Sequence, residues 1–177
     1  MTIIAPYELD SDKTDQTDQT DDVSISHFLQ SVFGSELGDK RPVVVSFKGS
    51  ADNVSGSAWF GNSWKPGDHE LSGTNNNYFT LATYNPDASN KYQRKKKSFN
   101  ALHAIMLDDI GKKVALERLT LKPSWLIQTS KGNYQAGYIL ETPITDVALT
   151  RARARVNLPN WKALNRNIGV TWVTWVT

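Results

Sequence analysis

Cysteine is absent from the 177 residues, which excludes disulfides, thiolate nucleophiles and cysteine metal sites and leaves the chain compatible with a reducing compartment. No apolar run approaches the ~18 residues of a membrane span, and the N-terminal MTIIAPYELDSD lacks the basic start and long apolar core of a signal peptide. The expectation is therefore a cytoplasmic protein without a membrane partner. There is no recognisable serine elbow, so nucleophilic hydrolase chemistry has no support, and the glycine signatures of phosphate-binding and dinucleotide-binding loops are missing as well.

What remains has the composition of a globular protein, with 39% hydrophobic and 21% charged residues. The length suits one domain with a modest tail. The net charge of +2 hides a segregation, because residues 1–22 hold six Asp and one Glu against one Lys. The rest is basic, which suits a nucleic acid or nucleotide partner through phosphate neutralisation, although the same imbalance also serves solubility. The repeats of Thr-Asp-Gln in residues 10–22 bury too little to offset the entropy of ordering, so residues 1–22 are read as a disordered acidic arm.

From Ser24 the pattern becomes helical. Ile25, Phe28, Leu29 and Val32 share a face, Ser24 is placed to cap the first turn and Gly34 to end the last. VVVSF at 43–47 reads as a strand, and a glycine- and serine-rich stretch with Trp59, Phe60 and Trp64 follows. NYFTLATY at 77–84 reads as one further strand. NPDASNKYQRKKKSF is an exposed loop whose basic cluster runs from Lys91 to Lys97. KKVALERL is a brief helical or irregular piece, and SWLIQTS and YQAGYILET form a hairpin across the Lys131-Gly132-Asn133 turn. Residues 151–177 make a basic, atypical C-terminal tail ending in GVTWVTWVT, whose period of three fits neither helix nor half-buried strand.

The stretch LHAIMLDDIG at 102–111 delivers two adjacent carboxylates, Asp108 and Asp109, into a glycine turn. Mg²⁺ prefers one or two carboxylates plus waters and substrate phosphates, so the pair suggests phosphoryl transfer. A solvated Asp-Asp turn is the competing reading. Adjacent side chains in a regular strand point to opposite faces, so both acids reach one ion only if the strand ends or bulges between them. Lys91, Arg94, Lys95, Lys96 and Lys97 are either a solvated loop or a grip on phosphates, with Tyr92 interleaved as a stacking aromatic. His103 is either a core histidine or a partner behind the acidic pair. Asp68-His69-Glu70 reads as an exposed turn, and Trp59, Trp64 and Trp125 as core or rim aromatics.

Taken in order, NNYFTLATYNP, KYQRKKKSF, ALHAIMLDDIGKK and SWLIQTSKGNYQAGYIL resemble the plasmid and phage RepB-like primases of the archaeo-eukaryotic primase superfamily, over about residues 76–146. The resemblance implies an α+β domain over 23–150, with an RRM-like antiparallel sheet and helices packed on one face. It implies primer synthesis on single-stranded DNA from nucleotides, with Mg²⁺ or Mn²⁺ held by Asp108 and Asp109. It also implies that Tyr134 and Gln135 lie beside the nucleotide and that Lys131 occupies the turn next to them. Such primases continue into a histidine- or arginine-bearing motif and a further acidic ligand. Here no histidine follows His103, and Asp146 is the only acid after Glu141. A truncated or degenerate primase core is thus expected, and with it an alternative: a non-catalytic module on a primase scaffold that binds nucleic acid or a host nucleoprotein, such as an inhibitor of a host defence complex.

Overall fold

The structure is a computed structural model that describes residues 2–4, 24–68, 70–119 and 121–146. The chain runs β1 (Thr2–Ile4), α1 (Ile25–Phe33), β2 (Val43–Phe47), β3 (Asn62–Ser63), β4 (Asn76–Phe79), β5 (Ala82–Tyr84), β6 (Phe99–Ile110), β7 (Trp125–Ser130) and β8 (Asn133–Ile144), with short 3-10 turns between. Two antiparallel sheets result, one ordered β1-β7-β8-β6-β5 and the other β3-β2-β4. One of them is curled into a half-barrel. Of the acidic arm, Thr2–Ile4 pairs with β7, while the rest of it lies outside the described residues, as does the tail from residue 147 onward.

This architecture corrects the expectation of an RRM-like sheet with helices packed on one face. Among the described residues there is one α-helix, and the protein is mostly β. KKVALERL makes only the 3-10 turn Leu116–Arg118, and the described part of residues 48–75 holds no α-helix either. That stretch is rich in Gly, Ser and Asn, which lack an apolar stripe and compete for backbone hydrogen bonds, and it folds into 3-10 turns and the two-residue β3.

The one helix has all the local signals. The Ser24 hydroxyl accepts from the His27 amide at 3.1 Å, and Ile25, Phe28, Leu29, Val32 and Phe33 are buried. They join one core cluster with Leu102, Ala104, Met106, Trp125 and Ile127, which share one face of the five-stranded sheet, and with Val43 and Val44 of β2. Leu107, Ile110, Leu126 and Ala136 occupy the other face, where Val114, Leu116 and Leu119 cover them. Apolar residues are thus buried on both faces of the sheet in the middle of β6, the first half of β7 and at Ala136 of β8. Each large apolar side chain so buried stabilises the fold by about 1.5–3 kcal/mol.

NYFTLATY is two strands rather than one. β4 ends at Phe79 and pairs with β2, whereas β5 begins at Ala82 and pairs with β6. Thr80 makes the joint: its hydroxyl accepts from the Val43 amide at 3.1 Å and donates to the Ala82 carbonyl at 2.8 Å. Alternating β-formers give no hint of that change of sheet, because both halves keep strand geometry.

Candidate metal and nucleotide cleft

At the end of β6 the register slips. Leu107 stands opposite Ala136 and Ile110 opposite Tyr134, so Asp108 and Asp109 together face the single residue Gln135. Two residues against one is a β-bulge. Leu107 and Ile110 are fully buried on the same face, which holds the flanks and forces the extra residue into the two acids between them. Asp109 takes a left-handed conformation, φ +59°, which Asp tolerates better than most residues. The Asp108 carboxylate accepts from the Asp109 amide at 2.8 Å. The bulge thus resolves the alternation that would have separated the two carboxylates, and both line one cleft.

That cleft, about 370 Å³, is built from three separated stretches: residues 75–79, the end of β6, and the β7–β8 hairpin. Gln135 lines it from β8, and Gln128, Thr129 and Asn133 from the hairpin tip. The amides are oriented by their neighbours. Asn77 Nδ2 donates to the carbonyls of Ser72 and Asn75 at 2.9 and 3.0 Å, which fixes its oxygen on the other side. Asn133 Nδ2 donates to Thr129 Oγ1 at 3.0 Å, and that hydroxyl donates back to the Asn133 carbonyl at 3.2 Å. The Oδ1 atoms of Asn75, Asn77 and Asn133 are buried without a hydrogen-bond partner. Unsatisfied buried acceptors are destabilising by about 1–3 kcal/mol each, a local cost carried by the loops that frame the cleft.

Oxygen donors of this kind suit a hard cation. Among the described residues no three His, Asp or Glu side chains converge, so a cage made wholly of protein groups is not formed. Two carboxylates with waters and substrate phosphate would suffice for Mg²⁺ or Mn²⁺. Asp109 Oδ2 meanwhile holds Lys113 Nζ at 2.5 Å, and that hydrogen bond and the carboxylate charge raise the Lys113 pKa above the usual lysine value. Lys112 Nζ reaches Ser130 Oγ at 3.4 Å. The turn carrying both lysines sits tightly on the hairpin, since a Cβ at Gly111 would lie 2.4 Å from the Gly132 carbonyl oxygen.

The other sequence candidates are scattered. Tyr134 turns to the opposite face from Gln135 and packs with Leu107 and Ile110, its hydroxyl 3.5 Å from Gln128 Nε2. Lys131 is exposed in the hairpin turn. None of Lys91 to Lys97 lines the cleft. Their loop enters β6 at Phe99, and at about 3.3 Å per residue the strand separates that point from the aspartates by roughly 30 Å along its path. Tyr92 donates to the Asp39 carbonyl at 2.8 Å under the Arg41 guanidinium, and Arg94 donates to the Trp59 carbonyl, so both help shape the loop. Lys91, Lys95, Lys96 and Lys97 remain exposed.

His103 Nε2 lies 3.0 Å from the buried Thr83 hydroxyl, which also accepts from Asn100, and burial lowers the His103 pKa. Asp68 accepts from the Lys65 amide and Glu70 from the Ser26 amide at the start of α1, while His69 lies outside the described residues. Trp64 and Trp125 are core residues, and Trp59 sits half-buried against Phe47 and Tyr78.

Sequence reasoning missed Asn75, Asn77, Gln128, Thr129 and Asn133 as cleft residues, and Lys112 and Lys113 as the cations beside it. The signals were present as the Asn75-Asn76-Asn77 run and the Lys-Lys pair directly after the glycine turn. Comparison of the chain with protein families, curated proteins and solved structures finds no match.

Proposed function

We propose that the chain is a primase-polymerase-like, nucleic-acid-binding domain of a mobile genetic element, whose cleft takes Mg²⁺ or Mn²⁺ together with a nucleotide. The observation that carries this reading is convergence. Three of the stretches that resemble the primases, around Asn77, Asp108-Asp109 and Thr129 to Gln135, lie far apart in sequence and line one cleft. Asp108 and Asp109 would anchor the cation, and the cation would neutralise phosphate charge during in-line displacement, leaving the protein mainly to position the reactants. The reading rests on these donors and not on the fold, since the sheet is not the one the resemblance implied. Single-stranded DNA and nucleotides are the proposed partners, in the cytoplasm.

A second reading is favoured by the separation of the Lys91 to Lys97 loop from the cleft and by the lack of a third acid among the described residues. On it, the chain is a non-catalytic module that binds nucleic acid or a host nucleoprotein through that loop. One experiment separates the two. Incubation with single-stranded DNA, nucleotides and Mn²⁺ gives primers or extended products if the first reading holds, and none with Asp108→Asn/Asp109→Asn. No product from the native chain, with salt-dependent DNA binding that persists in a chelator, supports the second.

A further inference from the structure

We infer that Lys113 is a resident counter-cation of the cleft: a divalent ion displaces it from Asp109, and its ammonium then pairs with the phosphate that the ion carries. This rests on the metal reading above. Three features of the turn after the bulge support it. The Asp109 carbonyl accepts from the amides of both Lys113 and Val114, at 2.9 and 3.4 Å, and Gly111 donates to the Val114 carbonyl at 2.6 Å. Val114 is 2% exposed and pinned in the second core. The backbone of Lys113 is therefore fixed above Asp109.

Its side chain is not fixed in the same way. The side chain is 61% exposed against 29% for that of Asp109, and the 2.5 Å pair with Asp109 is what holds the ammonium among the described residues. Such a chain can swing away while its Cα stays at the rim of the cleft. A single positive charge cannot hold its position on a carboxylate against a divalent ion binding the same group, because the repulsion acts over a few ångströms. Once displaced, Lys113 stands next to the phosphate oxygens that complete the ion's coordination. Metal and nucleotide binding would then be coupled through one side chain, each strengthening the other. The Lys91 to Lys97 loop cannot serve this purpose from the far end of β6.

The test measures Mn²⁺ binding by the electron paramagnetic resonance of the free ion, then ATP binding at saturating Mn²⁺, in the full chain and in Lys113→Met and Lys113→Arg. Asp108→Asn/Asp109→Asn identifies the part of the Mn²⁺ signal that belongs to the cleft rather than to the acidic arm. Removing one positive charge about 5 Å from a divalent ion, screened at physiological salt, is expected to tighten Mn²⁺ binding about five-fold. ATP binding should weaken by a similar factor, and Lys113→Arg should resemble the native chain in both. A merely structural role would weaken both ligands. Unchanged or weaker Mn²⁺ binding by Lys113→Met overturns the inference alone. If the native chain binds no Mn²⁺ that the double aspartate variant loses, the cleft reading falls and takes this inference with it.

Discussion

Gly137→Ala should be among the most damaging single-methyl changes in the protein. Gly137 lies in β8 opposite both Trp125 and Met106, and the Trp125 indole lies directly over it. A Cβ built there stands 1.8 and 1.9 Å from two ring carbons and 2.5 Å from a third. Carbon atoms pack at about 3.5–4.0 Å, so the ring must retreat by nearly 2 Å. It has little room: Trp125 is 4% exposed, with Phe28 edge-on at 5.3 Å and Phe79 at 6.3 Å. Overpacking of a dense core usually costs 1–3 kcal/mol, and a clash against a ring wedged this way belongs at or above the top of that range, about 3 kcal/mol. For a domain of this size the melting temperature should fall by about 10 °C. Urea unfolding followed by far-UV circular dichroism measures the loss from the midpoint at constant slope. Trp125→Leu in the same chain should recover part of it, because the two positions are coupled. A loss below about 1 kcal/mol, or no coupling, would refute the packing of β7 against β8 described above.

Three further outcomes follow from the site and its surroundings. Because Asp109 sits at φ +59°, Asp109→Gly should keep stability within about 0.5 kcal/mol while Asp109→Val loses about 2 kcal/mol, read by the same urea midpoints, although each removes the same proposed ligand. His103 has a pKa lowered below 6.5 by burial, so the folded state binds its proton less readily than the unfolded chain does. Its contribution to stability is complete above pH 6.5 and is lost as pH falls through the depressed value, by at most about 1.4 kcal/mol per pH unit, and His103→Gln should flatten that part of the urea-midpoint profile. Replacing Lys95, Lys96 and Lys97 together by alanine should lower the slope of log affinity for single-stranded DNA against log salt by about 2, measured by fluorescence anisotropy, without altering Mn²⁺ binding.

The parts of the fold legible in the sequence are those specified by neighbours in the chain. The Ser24 cap and the Ile25, Phe28, Leu29 and Val32 stripe define α1, and the hairpin across Lys131 and Gly132 is set by its turn residues. Long-range choices were hidden. Nothing in NYFTLATY marks Thr80 as the point where the chain changes sheet, since the signal is a hydroxyl shared between backbone groups of β2 and β5. The lack of helix among the described residues of 48–75 was readable in their composition, whereas the family resemblance implied a sheet covered by more than one helix. At the site, Asp108 and Asp109 stood out as a pair, while the bulge that brings them together depends on Leu107 and Ile110 being held on one face by distant residues. The Asn residues of the cleft carry no charge and no spacing, and acquire meaning only when β4 and the hairpin meet β6. Lys91 to Lys97 attracted attention by sheer charge, which says nothing about which end of a strand the loop occupies.

Paramagnetic broadening by Mn²⁺ tests the central claim most directly, because it reports where the ion sits rather than whether one binds. With substoichiometric Mn²⁺, the side-chain amide resonances of Asn77, Asn133 and Gln135 should disappear first in the native chain and survive in Asp108→Asn/Asp109→Asn, with the amides around Lys95 to Lys97 unaffected in both. Survival of those three signals in the native chain, or equal loss in the variant, would contradict a cation held by the bulged aspartates.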